Sequence, residues 1–414
     1  MSIARVIDDW RRTTGMLKIV ILATIVAFVG DMWTLSLFGY RLAGVAWAVP
    51  MIVAALMLLR LPHRVCFPLW SWLPWVLLVL VHAVLIPFSD LDARVDPLQR
   101  TAQLLCPLFV GMAASVARPS STETVAFLAT FRRLIYLLII LIGIRSGILL
   151  TGDLPDWSGL APEAITVTLL CAFVVSWFSV MNRPRYLILW ALLFAIPVVM
   201  VTRMPILACL VTLPFAFGRM RLSRRIAALA VVAGLAVAVF YLPAFQAKTF
   251  YSSSGTPGEI RLSNPNFASY GRDRMWREMA SSASDSLWLG RGTGSGETLV
   301  RQLTSSIAYP HNDWLLTLYD YGVVGVVFLV VSIALATTHA LLRSRWARAP
   351  STRLLLIGGA TAFIPFIVMM ISDNILVYAS FFGNIQLALL GLGYGALARE
   401  RADASLAAVT SPDI

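Results

Sequence analysis

Apolar runs of nearly membrane-crossing length recur along almost the whole 414-residue chain, and no other feature constrains the fold as much. A hydrocarbon core of roughly 30 Å takes about 20 residues of helix to cross. Twelve runs approach that length, near 17–36, 42–59, 68–87, 101–116, 134–151, 162–181, 186–202, 205–218, 226–243, 313–338, 354–371 and 375–396. The predicted fold is therefore an all-α polytopic membrane protein of about 12 transmembrane helices. The runs 186–202 and 205–218 meet at Arg203-Met204-Pro205 and read as two spans joined by a tight turn rather than one broken helix. With 59% of residues apolar and only 13% charged, the chain lies far from the quarter-charged composition of soluble domains.

The net charge of +12 follows from topology and not from nucleic-acid binding. Lysine and arginine near span ends stay cytoplasmic. With the N-terminus inside, 21 of the 33 basic residues fall on inward segments and every inward loop is basic. Both termini are then cytoplasmic, which fits a bacterial inner (cytoplasmic) membrane. The first apolar run lacks a small-residue cleavage site and is followed by further spans, so it reads as an anchor and not a leader. Cys66, Cys106, Cys171 and Cys209 share no metal-ligand spacing and read as buried apolar residues. The predicted organisation is residues 1–243 with nine spans, an outward (periplasmic) segment 244–312 carrying short helices, three spans over 313–396 and a cytoplasmic tail 397–414. Residues 402–414 read as disordered.

The outward segment carries a predicted helix over 271–284, a glycine cluster at Gly290, Gly292, Gly294 and Gly296, and Tyr309-Pro310-His311-Asn312 at the mouth of the tenth span. A loop of this length is functional or disordered, and its tryptophans and arginines argue against disorder. His311 is the one histidine of four that this orientation puts outside. An imidazole there can take a proton from a hydroxyl, although taken alone it also reads as an interfacial residue. Asn312 can cap the following helix. Arg203, between two apolar spans, either snorkels to the headgroups or meets an anion. Arg272 and Arg274, near Trp276, add positive charge, and a guanidinium fork suits phosphate oxygens. Arg145, within a span, is intramembrane charge and hence a functional candidate. The glycine cluster lacks the ending of a phosphate loop and reads as a bend allowing close backbone approach. Asp90-Leu91-Asp92 has the spacing of a weak divalent-metal motif.

The order of these pieces carries more than each alone. Arg203-Met204-Pro205-Ile206-Leu207 reads R-x3-L, and Arg272-Asp273-Arg274-Met275-Trp276 reads R-x3-W. His311-Asn312, nine residues, Gly322, two residues and Gly325 read H-N-x9-G-x2-G. In this order, among about a dozen spans, the motifs resemble those of the O-antigen ligase and polymerase superfamily of bacterial membrane glycosyltransferases, and the R-x3-L element is most similar to the ligase branch. The resemblance covers about 196–330. Pro205 departs from it, standing where many relatives have a small residue.

The resemblance implies a GT-C-like fold and an enzyme working on the periplasmic face. A glycan on undecaprenyl diphosphate would pass to a sugar hydroxyl of lipid A-core in lipopolysaccharide biosynthesis, with inversion and without metal or other cofactor. Arg203 and Arg272 would balance the diphosphate leaving group, with Arg274 and Arg145 behind them. His311 would be the general base, and Asn312, Trp276, Gly322 and Gly325 would support the site. The implied partners are the lipid-linked donor, the lipid A-core acceptor and the bilayer, with no nucleic acid. Two other readings stand: a polymerase of the same superfamily, whose donor chemistry is identical, and a lipid-linked glycan transporter, for which twelve spans are a common number.

Overall fold

The computed structural model describes the chain except residues 1–2, 14, 33–34, 38, 90, 94, 151–160, 215–221, 305–306, 308, 377–382 and 411–414. Asp90, half of the acidic pair singled out above, lies outside the described residues. The described chain is helical apart from one two-stranded ribbon, Ser36–Leu37 with Tyr40–Arg41. The first half runs α1 (Ile3–Arg12), α2 (Gly15–Met32), α3 (Leu42–Arg60), α4 (Leu73–Leu85), α5 (Pro97–Val116), α6 (Ser121–Leu150), α7 (Ala161–Met181) and α8 (Arg185–Val199). Next come α9 (Arg203–Thr212), α10 (Leu222–Phe240), α11 (Pro243–Thr249), α12 (Arg272–Ala283) and α13 (Ser295–Leu303). The chain ends with α14 (Asp313–Ser344), α15 (Pro350–Thr361), α16 (Phe363–Met369) and α17 (Gly383–Thr410).

Helix α7 is apolar on every side because it is enclosed by protein. It packs on α8, α9, α15 and α16, and most of its side chains, from Ile165 to Trp177, are buried. A second seam joins α5 to α17, where glycines let the backbones approach: a Cβ at Gly111 would stand 3.0 Å from the carbonyl oxygen of Leu387.

The twelve spans read in the sequence are not all recovered among the described residues. Among the described residues four helical stretches are long and apolar enough to cross a membrane, Ser121–Arg145, Ala164–Met181, Asp313–Ser344 and Pro350–Met369. A fifth arises if α10 and α11, bent by 71° at their joint, form one. Five shorter apolar helices, such as Arg185–Val199 and Arg203–Thr212, account for further runs. At 1.5 Å per residue, the 15 residues of α8 and the 10 of α9 fall short of a 30 Å core. Apolar length in the sequence overstated helix length, because the tight turn at 200–202 uses apolar residues of its own. The tail expected to be disordered is instead helical as far as Thr410, a continuation of α17.

Residues 244–312 are built as short helices joined by bends. Residues 287–292 run alongside a break in α14: Arg291 and Gly292 donate to the carbonyls of Tyr319 and Asp320 (both 2.9 Å), while Val323 and Val324 donate to the carbonyls of Leu287 and Trp288 (2.8 and 3.1 Å). The break is Gly322, at φ 67° and ψ −170°, a region essentially closed to residues with a Cβ. A Cβ there would also strike the Trp288 carbonyl. The glycine cluster is accordingly a packing device, and the Asp320 carboxylate accepts from the backbone N–H groups of Gly294 (3.0 Å) and Gly296 (2.7 Å). Gly322→Ala is expected to destabilise the fold by about 1–3 kcal/mol or more, measured as a lower thermal midpoint in detergent. An unchanged midpoint would mean that the break is not required.

Candidate functional site

A cavity of about 610 Å³ opens between α9, α10, α11, the start of α12 and the loop after α16. Its walls include Arg203, Lys248, Arg272, Trp276, His311 and Asp373. Much of the remaining wall is apolar, with Leu210, Val239, Phe240 and Phe245 on the side of α9 to α11.

Arg203 reaches the cavity through a constrained turn. Thr202 closes on the end of α8, its N–H and hydroxyl both donating to the Pro197 carbonyl at 2.9 and 3.2 Å. Val201 is held at φ 50°, an unusual conformation for a β-branched residue and one that persists only where its surroundings impose it. Arg203 is then the first residue of α9. Pro205 fits the same first turn, since its missing N–H would have had no partner within the helix. The Arg203 guanidinium makes long contacts of 3.4 and 3.5 Å to the Ala268 carbonyl and lies 5.5 Å from the centre of the Phe267 ring. Burial, and next the charge of Arg272, push its pKa below the ordinary arginine value, though arginine remains charged in proteins.

Arg272 is the first residue of α12, behind Gly271 at φ 79°, and donates to the Ser372 carbonyl at 3.3 Å. Its neighbour Asp273 is engaged elsewhere, accepting from the Ser269 hydroxyl at 2.7 Å and pairing with Arg277 at 3.0 Å. The Ser269 hydrogen bond is the main reason its carboxyl titrates below the usual range. Lys248 comes from α11, which is tied to the same wall by the pairing of Phe250 with Phe267 and the bond from Ala268 N–H to the Thr249 carbonyl (2.9 Å). Arg203 and Arg272 both lie close enough to repel it.

His311 sits where three elements meet, in a left-handed conformation at φ 51°. Before it, the Pro310 carbonyl accepts from the Trp276 indole at 2.6 Å. After it, the Asn312 side chain caps α14 by accepting from Leu315 N–H at 2.9 Å. The buried Asp313 then fastens the loop after α16, donating its N–H to the Met370 carbonyl (2.9 Å) and accepting from Leu376 N–H (2.7 Å). That loop places Asn374 and Asp373 against the imidazole. Asn374 accepts the His311 backbone N–H at 2.9 Å and lies 3.1 Å from Nδ1, while an Asp373 oxygen is 3.8 Å from Nδ1.

Of the residues singled out in the sequence, Arg203, Arg272, Trp276 and His311 line one cavity, although more than a hundred residues separate the first from the last. Asn312 caps the start of α14, Gly322 forms the break within it, and a Cβ at Gly325 would strike the Tyr321 side chain and come within 3.4 Å of Leu78 on α4. Arg274 is exposed and absent from the cavity wall. One helical position cannot face the way its neighbour two residues earlier does, which removes it from the cluster. Arg145 is buried on α6 and does not line the cavity either. Lys248, Asp373 and Asn374 were not read from the sequence. Lys248 carried a signal as one of only two lysines in the chain.

These features define a helical membrane protein with a largely apolar cavity that also carries basic side chains. Residues 187–330 match the family model described as O-antigen ligase. The match runs from α8 into α14 and includes every cavity residue named above except Ser372 and Asp373. No curated protein matches the chain.

Proposed function

We propose that the protein is an O-antigen ligase that transfers a glycan from undecaprenyl diphosphate to a sugar hydroxyl of lipid A-core at the periplasmic face of the inner membrane. The observation that carries this reading is one cavity lined by three basic side chains and a histidine together with many apolar residues. A diphosphate gains negative charge as its bond to the anomeric carbon breaks, and fixed cations in a desolvated site stabilise that charge without reorganising. Arg203 and Arg272 fill this role, and Lys248 adds a third charge. The apolar residues of α9 and α10 suit the first isoprene units of the lipid. His311 takes the proton of the attacking hydroxyl, and direct displacement inverts the anomeric centre.

The test is reconstitution of purified protein with a lipid-diphosphate glycan and lipid A-core. Glycosylated lipid A-core and free lipid diphosphate are the expected products. Extension of the lipid-linked glycan itself, with lipid A-core untouched, would assign the protein to the polymerase branch. Movement of the intact donor between leaflets without bond cleavage would replace the enzyme reading with transport.

A further inference from the structure

The contacts around His311 determine which ring nitrogen carries its proton, a refinement that rests on the base role proposed above. Asn374 is fully buried, and its amide has only one workable orientation. Its oxygen accepts the His311 backbone N–H at 2.9 Å; turned over, the amide would set its own N–H groups against that donor. The NH2 group is thereby committed to the Nδ1 side, 3.1 Å away. It can only donate, so Nδ1 must offer a lone pair. A neutral imidazole with an accepting Nδ1 has its proton on Nε2. In that form Nε2 donates a hydrogen bond and has no lone pair with which to remove a proton.

The second neighbour reverses the preference. Asp373 presents an oxygen 3.8 Å from Nδ1, beyond hydrogen-bond length but within about 1 Å of it. A carboxylate accepts, so at that distance it would hold a proton on Nδ1 and leave the Nε2 lone pair free, as the orienting carboxylate does in acid–base triads generally. The two groups are adjacent in the chain, so a small displacement of one loop exchanges one for the other.

We propose that Asn374 is a positioning residue that holds His311 in the Nε2–H form, and that the base forms when Nδ1 passes from the Asn374 amide to the Asp373 carboxylate. The exchange needs no net charge: Nε2 releases a proton to cavity water and Nδ1 takes one up. The acceptor O–H then breaks toward Nε2, the oxygen bonds to the anomeric carbon, and the diphosphate leaves with the electron pair of the broken C–O bond. The resulting imidazolium is held by Asp373.

Nitrogen NMR of histidine-labelled full-length protein in nanodiscs, at a pH where the ring is neutral, tests this, the His311 signals being assigned by their loss in H311Q. The expected pattern is a protonated Nε2 and an unprotonated Nδ1. Asn374→Asp, which places an acceptor at Nδ1, is expected to invert that pattern, whereas Asn374→Ala should leave a mixture. A protonated Nδ1 in the unsubstituted protein, or an unchanged pattern in Asn374→Asp, overturns the proposal. Failure of the base role reads out separately, as transfer that survives the loss of the imidazole.

Discussion

Replacing His311 with alanine is expected to lower transfer by about 10²–10⁴-fold, the range over which a positioned general base contributes, while the protein still inserts and folds. The second half of this expectation follows from how the residue is held. Its tie to the loop after α16 runs through the backbone N–H to Asn374, which alanine keeps, and the caps around it belong to Asn312 and Asp313. The left-handed φ of 51° costs a residue with a Cβ roughly 1–2 kcal/mol, a strain that histidine already bears. With the donor's diphosphate held by the arginines as proposed above, its KM should move little while kcat collapses. Single-turnover transfer to lipid A-core, with membrane insertion followed by protease protection, is the measurement. Retained transfer would leave the imidazole as a structural plug at the helix mouth.

How far the sequence disclosed this site depended on whether its signals were local. The predicted helix over 271–284 is α12, Arg272–Ala283, because its start is marked by glycine and its faces by the spacing of Met275, Met279 and Ala283, all buried. The turn at Arg203 was legible for a similar reason: a charge and a proline interrupt an apolar run. The grouping of Arg203, Arg272 and His311 was legible only through the order of three motifs. Asp373 and Asn374 were missed because nothing local distinguishes a short polar joint between two apolar runs. The orientation rule placed that joint on the same side as His311, which was the usable signal. The span number of twelve stays unconfirmed because hydropathy measures apolar length, whereas crossing depends on helix length. Arg274 shows the limit of such motifs: its place in one said nothing about which side of α12 it would face.

Arg203→Lys is expected to cut kcat by about 10-fold and Arg203→Ala by about 10²–10³-fold, the cost of removing one preorganised donor to developing charge. The ordering of the two follows from what surrounds the group. No carboxylate pairs with Arg203 among the described residues; its contacts are one carbonyl at 3.4–3.5 Å and the face of Phe267. Its neighbours include a second guanidinium that repels it. Two like charges held this way at a cavity wall are stabilised by an anion able to contact both, and a diphosphate has oxygens enough to do so. Lysine keeps the charge but presents a point donor in place of the fork, so it retains attraction and loses geometry. A residue that only snorkels to headgroups would tolerate lysine fully, since an ammonium snorkels as well. The measurement is therefore the split between kcat and KM for the lipid-linked donor in both variants. Near-normal kcat in Arg203→Lys and Arg203→Ala alike would remove Arg203 from the chemistry, whereas a fall in kcat that is deeper for alanine identifies it as a group that stabilises the departing diphosphate.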